Sequence, residues 1–82
     1  MYYVYILYSE AHDRYYIGQT NNLESRLERH NKGYVKSTKA YKPWELVFSE
    51  EFDTRQQAMQ RESELKRLKS KVKISELVAT SR

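Results

Sequence analysis

Five side chains in this sequence have types and spacing that could carry chemistry. Glu62 stands four residues after Ala58 and three before Leu65. In a helix that spacing puts it on the apolar stripe, where a carboxylate must be paired, protonated or bound to a cation. His30 likewise continues a stripe begun by Leu23 and Leu27, and Arg26 lies one turn before it. Tyr5 and Tyr16 sit in two short apolar segments separated by a polar stretch. Taken singly, each has a plainer reading: a salt-bridged rim glutamate, a packed histidine, a surface arginine and core tyrosines. Together they offer a hard oxygen ligand, a planar fork of hydrogen-bond donors and three groups able to move a proton.

Tyr2 to Tyr8 is β-branched, aromatic or aliphatic throughout and predicts a strand buried on both faces, central in its sheet. Ser9 to Asp13 is polar and reads as a turn, and Arg14 to Gly18 as the second strand of a hairpin. If residues 10 to 13 form the turn, Ser9 faces Arg14, Leu7 faces Tyr16 and Tyr5 faces Gly18. Tyr5 and Tyr16 are then diagonal neighbours on one face, whereas a slip of one residue separates them. Gly18 is expected to leave open space above the strand.

Asn21 or Asn22 caps a first helix running to about Asn31, and Gly33 is placed to end it. Tyr34 to Pro43 reads as a loop and Trp44 to Phe52 as a third strand. Asp53 or Thr54, with Gln56 or Gln57, forms a capping box for the next helix, whose inner stripe is Ala58, Leu65, Leu68 and Val72. Ser70 interrupts it, and Ile74, Leu77 and Val78 suit a short final helix. The expected fold is α+β: an antiparallel three-stranded sheet covered by helices, in the order β-β-α-β-α-α.

Those motifs resemble the GIY-YIG nuclease superfamily. Tyr3-Val4-Tyr5, ten residues, then Tyr16-Ile17-Gly18 is similar to the two-part signature that names it. Asn22 to Leu27 resembles the helix with the family's essential arginine, here Arg26. His30-Asn31 follows at the usual interval, and Arg61-Glu62 before Leu65-Lys66 resembles the helix with the metal-binding glutamate, here Glu62. The likeness runs to about residue 78 and is nearest to small members similar to the N-terminal endonuclease domain of the repair excinuclease. The first glycine of the signature is replaced by Tyr3, and Gln19 stands where the family carries a basic residue.

The resemblance implies a metal-dependent endonuclease that cuts phosphodiester bonds in DNA during repair or recombination. The alternative is a non-catalytic nucleic-acid-binding module of the same fold. The implied catalytic set is Tyr5, Tyr16, Arg26, His30 and Glu62, with Glu62 holding Mg²⁺ or Mn²⁺. The base is one of Tyr5, Tyr16 and His30. The family analogy favours a tyrosine, and we lean to Tyr5 with the other two in support. An unperturbed tyrosine has a pKa of about 10, so it needs a cation or a neighbouring base to act near neutrality.

Composition narrows the field further. With 82 residues the chain is expected to form one domain, with a shallow groove for its site. No cysteine is present, which excludes disulfides, thiolate metal sites and a cysteine nucleophile, and agrees with a cytoplasmic location. No apolar run reaches the ~20 residues of a membrane span. The net charge is +4, and its distribution points to a polyanion such as DNA. Lys32, Lys36, Lys39 and Lys42 punctuate one segment with no acidic residue among them, and Arg61 and Lys66 fall in a second basic segment. We assign nucleic-acid contacts to these six. Tyrosine is the preferred aromatic, eight residues against two Phe and one Trp. A tyrosine-rich sheet face is therefore a candidate working surface. A monomer or weak dimer is expected.

Overall fold

The computed structural model describes residues 1–81. Its elements are β1 (Tyr2–Ser9), β2 (Arg14–Thr20), α1 (Leu23–Asn31), a 3₁₀ turn (Lys39–Tyr41), β3 (Glu45–Phe52), α2 (Arg55–Lys66) and α3 (Lys71–Thr80). The three strands form one antiparallel sheet in the order β2-β1-β3. The all-apolar segment is thus the central strand. It must bury both faces, and Val4, Tyr5, Ile6 and Leu7 are each at most 2% exposed.

The hairpin has the expected register: Ser9 faces Arg14, Leu7 faces Tyr16 and Tyr5 faces Gly18. The strand alternation then sorts the core into two layers. Val4 and Ile6 pack with Ile17, Phe48, Ala58, Leu65 and Val78, so α2 and α3 cover one face. Tyr5 and Leu7 pack with Trp44, Tyr16, Leu23 and Leu27, so α1 and the segment before β3 cover the other.

Local chemistry sets the helix boundaries. The Asn22 side chain accepts a hydrogen bond from the Ser25 N–H at 3.0 Å. Thr54 and Gln57 form a reciprocal capping box at 3.2 and 3.3 Å. Gly33 adopts φ 79°, a left-handed conformation that glycine takes at little cost just past the helix end.

The apolar stripe of α2 does not extend to Val72, as the sequence had implied. The helix stops at Lys66, Lys69 turns left-handed at φ 48°, and Ser70 caps α3 by accepting from the Lys73 N–H. The break restarts the helical phase, and Val72 emerges 65% exposed.

The lysine-bearing segment between α1 and β3 is tied down at several points. The Asn31 side chain donates to the Trp44 carbonyl at 3.0 Å and accepts from the Trp44 N–H at 2.6 Å. The Trp44 indole donates to the Thr38 carbonyl at 2.9 Å. Ser9 donates to the Tyr41 carbonyl at 2.6 Å. These bonds join α1, the loop and the ends of β1 and β3, so a segment rich in exposed lysines acquires a buried floor.

Candidate active site

Tyr5 lies at the centre of the set. Its hydroxyl is 3.0 Å from His30 Nε2, its ring centroid is 6.3 Å from that of Tyr16, and the Tyr16 and His30 centroids are 4.9 Å apart. The strand register brings in Tyr16, and the stripe of α1 brings in His30. Tyr5 is 2% exposed and His30 is fully buried, whereas Tyr16 and Arg26 are half-buried and can meet a ligand.

Burial pushes the Tyr5 hydroxyl up to a pKa of about 12, with Tyr16 adding to the rise. Arg26 opposes it, through its charge and through a hydrogen bond it can donate to the phenolate. The negative charge of Glu62 reaches the same oxygen. Arg26 on α1 and Glu62 on α2 therefore both act on Tyr5, although their helices cover opposite faces of the sheet.

Glu62 pairs with Lys66 one turn along α2, Oε2 to Nζ at 2.6 Å, rather than with a buried arginine. Lys66 is 56% exposed and can swing away. Among the described residues no group of three or more His, Cys, Asp or Glu could form a metal cage. Glu62 alone could offer a hard divalent cation one carboxylate ligand, which would leave the rest of the shell to water.

The five do not share one groove: two surface hollows each carry a single member of the set, and neither is lined by Tyr5, His30 or Glu62. One, of about 610 Å³, is lined by Tyr16 and Lys66 and by Arg14, Lys69 and Lys71. The other, of about 250 Å³, is lined by Arg26, Gln19, Thr20 and Asn21. Lys36, Lys39 and Lys42 are exposed on the loop after α1. Lys32 is paired with Glu28 at 2.6 Å. Arg61 is held by Glu50 at 2.7 Å and Glu64 at 3.2 Å, so two carboxylates already offset its charge.

The space above Gly18 is not open, contrary to the sequence expectation. A Cβ there would stand 2.6 Å from the Tyr5 hydroxyl oxygen and 2.8 Å from its ring. Glycine is needed because Tyr5 occupies the room a side chain would use. Gly18→Ala is expected to lose roughly 1–3 kcal/mol of stability, the usual cost of overpacking. Thermal melting checks this, and an unchanged melting temperature would show that the Tyr5 ring is free to move.

Thr38 was missed. It is 1% exposed, and its hydroxyl lies 2.7 Å from His30 Nδ1. No signal in the sequence marks it, because seven residues, most of them irregular chain, separate His30 from Thr38.

Burial, reinforced by the charges of Arg26 and Arg29, pushes His30 down to a pKa of about 4. In the unfolded chain it titrates near 6.5. The folded state therefore resists a proton that the unfolded state accepts. This stability is fully present above pH 6.5 and is lost as pH falls towards 4. At 1.36 kcal/mol per unit the loss approaches about 3 kcal/mol. Denaturant titrations from pH 7 to pH 4 are expected to show it in the wild type and not in His30→Gln. Equal slopes for the two proteins would refute the assignment.

Comparison with known proteins agrees with this fold. The GIY-YIG catalytic-domain profile matches residues 1–75. A UPF0213 protein of Natronomonas pharaonis is 46% identical over 78 residues, covering 94% of this chain and 89% of the relative. UPF0213 protein YazA of Bacillus subtilis is 45% identical over 60 residues, 72% of this chain but 61% of YazA. The solution NMR structure of the UPF0213 protein BH0048 from Bacillus halodurans superposes with a TM-score of 0.60 at 34% identity, over 98% of this chain and 85% of that one.

Proposed function

Because the chain belongs to the GIY-YIG family, we propose that it is a metal-dependent endonuclease that hydrolyses phosphodiester bonds in DNA, with a role in repair or recombination. The observation that carries this reading is the cluster of Tyr5, Tyr16 and His30, with the Tyr5 hydroxyl 3.0 Å from His30 Nε2 and the charge of Arg26 felt at the same oxygen. A core tyrosine needs only one polar partner for its hydroxyl.

The chain's own residues divide the work. The exposed lysines Lys36, Lys39 and Lys42 neutralise backbone phosphates, with weaker help from Lys32, Arg61 and Lys66, whose charges are partly offset by carboxylates. Arg26 donates its fork to the oxygens of the phosphate to be cut and stabilises charge as it grows there. Tyr5, supported by Tyr16 and neutral His30, accepts a proton from the attacking water. Glu62 would hold Mg²⁺ or Mn²⁺, which when bound supplies charge stabilisation at the leaving oxygen.

The test is nicking of supercoiled plasmid with Mg²⁺ or Mn²⁺, followed by branched, flapped, nicked and single-stranded substrates and RNA. Cleavage is expected to stop on chelation; DNA binding with no cleavage of any substrate would leave a binding module instead. Binding is expected to weaken with salt at a log–log slope of about −0.9 per duplex phosphate neutralised. Replacing Lys36, Lys39 and Lys42 together by uncharged residues should flatten the slope by about 0.9 for each phosphate no longer neutralised. An unchanged slope would remove the loop from the interface.

A further inference from the structure

Beneath the proposed site runs one unbroken chain of buried hydrogen bonds. The Tyr5 hydroxyl is 3.0 Å from His30 Nε2, His30 Nδ1 is 2.7 Å from Thr38 Oγ1, and Thr38 Oγ1 donates to the Val35 carbonyl at 3.3 Å. Tyr5, His30 and Thr38 are exposed by 2%, 0% and 1%. Among the described residues no buried side-chain polar atom lacks a partner, so the direction of each bond can be argued from donor and acceptor supply.

At one end, the Val35 carbonyl can only accept. A Thr38 hydroxyl that donates to it presents a lone pair to His30. Nδ1 must then carry the imidazole proton, and in a neutral ring Nε2 is left as an acceptor. At the other end, Arg26 beside the Tyr5 oxygen is donor-only. The acceptor that faces the Tyr5 proton is Nε2. In the reverse direction Nε2–H would donate to Tyr5, and the Tyr5 proton would face a guanidinium. Both ends are consistent with one direction, Tyr5 to His30 to Thr38 to Val35, the Val35 carbonyl also accepting from the Thr38 and Lys39 N–H groups at 3.1 and 3.0 Å.

We propose that Thr38 is a positioning residue that sets the polarity of Tyr5. By fixing the tautomer of His30 it commits the Tyr5 proton to the interior, so that the oxygen offers a lone pair and not a proton to whatever enters the groove. The consequence for catalysis rests on the endonuclease reading above. A water that reaches Tyr5, which is 2% exposed and lines neither surface hollow, can then give its proton to Tyr5 while the original Tyr5 proton passes to Nε2. The sum is one hydroxide delivered to phosphorus and one imidazolium on His30, with Nδ1–H still donating to Thr38; burial and the charges of Arg26 and Arg29 disfavour that imidazolium, so it is transient and gives its proton up as the products leave. With the other tautomer Tyr5 would be a donor towards the groove and could not begin this transfer.

The test reads the tautomer directly. The full chain is labelled with ¹⁵N, and the imidazole nitrogens are correlated with the ring protons at neutral pH. His12→Gln, which changes the exposed second histidine, assigns the His30 signals. Wild type is expected to show a protonated Nδ1 and a bare Nε2. Thr38→Val keeps the shape but not the oxygen, and is expected to shift the population towards the other tautomer and to lower kcat at least about tenfold, with KM unchanged, as expected when a positioned proton acceptor is lost. Thr38→Ser should restore both, which a purely structural role for the hydroxyl would not require. A wild-type spectrum with the proton on Nε2 would overturn the proposal, and so would an unaltered tautomer in Thr38→Val. If Thr38→Val does not fold, the wild-type and Thr38→Ser spectra still decide. A wild type with the expected tautomer that cuts no nucleic acid would support the hydrogen-bond direction and overturn the nuclease reading separately.

Discussion

Glu62→Gln is expected to abolish cleavage while the protein melts within a few degrees of wild type. The substitution keeps the size and hydrogen-bonding capacity of the side chain but removes the charge that attracts a divalent cation. Loss of about 4 kcal/mol of transition-state stabilisation lowers the rate on the order of 10³-fold. The structural cost is small because the partner is Lys66, 56% exposed and one helical turn away, so that the pair opens to solvent on the lysine side although Glu62 itself is 19% exposed. Exposed pairs of this spacing contribute about 0.3–0.5 kcal/mol, and 1 kcal/mol corresponds to about 4–8 °C in a domain of this size. A buried partner would have made the same change cost roughly 3–5 kcal/mol. Nicking assays, melting curves and DNA binding should be run on the same preparation. Binding should persist or strengthen, since a negative charge near the phosphate has gone. A collapse in melting temperature would identify a structural glutamate, and retained cleavage would place the metal ligand elsewhere.

Arg26→Lys is expected to lower cleavage by about 10²–10³-fold, the cost seen when one preorganised donor to a developing oxyanion is lost. Lysine keeps the charge but not the planar fork that meets two phosphate oxygens at once. Comparison with Arg26→Ala separates geometry from charge. Arg26 also depresses the pKa of His30 and restrains that of Tyr5. Arg26→Ala should therefore raise the His30 pKa from about 4, readable by NMR titration without any substrate, whereas Arg26→Lys should raise it less. Near-wild-type cleavage by Arg26→Lys would reduce Arg26 to a general attractor of phosphate. An unmoved His30 in Arg26→Ala would show that the guanidinium lies elsewhere in solution.

The fate of the exposed lysines shows how far charge can be read without a fold. Lys36, Lys39 and Lys42 remain exposed. Lys32 and Arg61 are met by Glu28 and by Glu50 and Glu64. The Glu28 and Glu64 pairs lie within one helical turn and were open to inspection. The Glu50 pair joins β3 to α2 and depends on how the helix crosses the strand.

What the sequence by itself determined was everything carried by spacing within an element or across a tight turn. The four turn residues 10 to 13 set the register that pairs Tyr5 with Gly18 and Leu7 with Tyr16. The stripe of α1 turned His30 inward, and the caps at Asn22 and Thr54 started their helices where the side chains could accept orphan N–H groups. These are short-range constraints, and each follows from a period of about 2 or 3.6 or from one side-chain reach. What only the tertiary structure decided was how segments joined by irregular chain meet. The helix broke after Lys66, so Val72 lost the inward phase that an unbroken helix would have kept. Tyr5 folded over Gly18 and filled the room the glycine had seemed to leave. Thr38 came to rest on His30 because Asn31 and Trp44 clamp the loop that carries it. A loop has no period, so the place of its side chains is set by the clamps and not by their order in the chain.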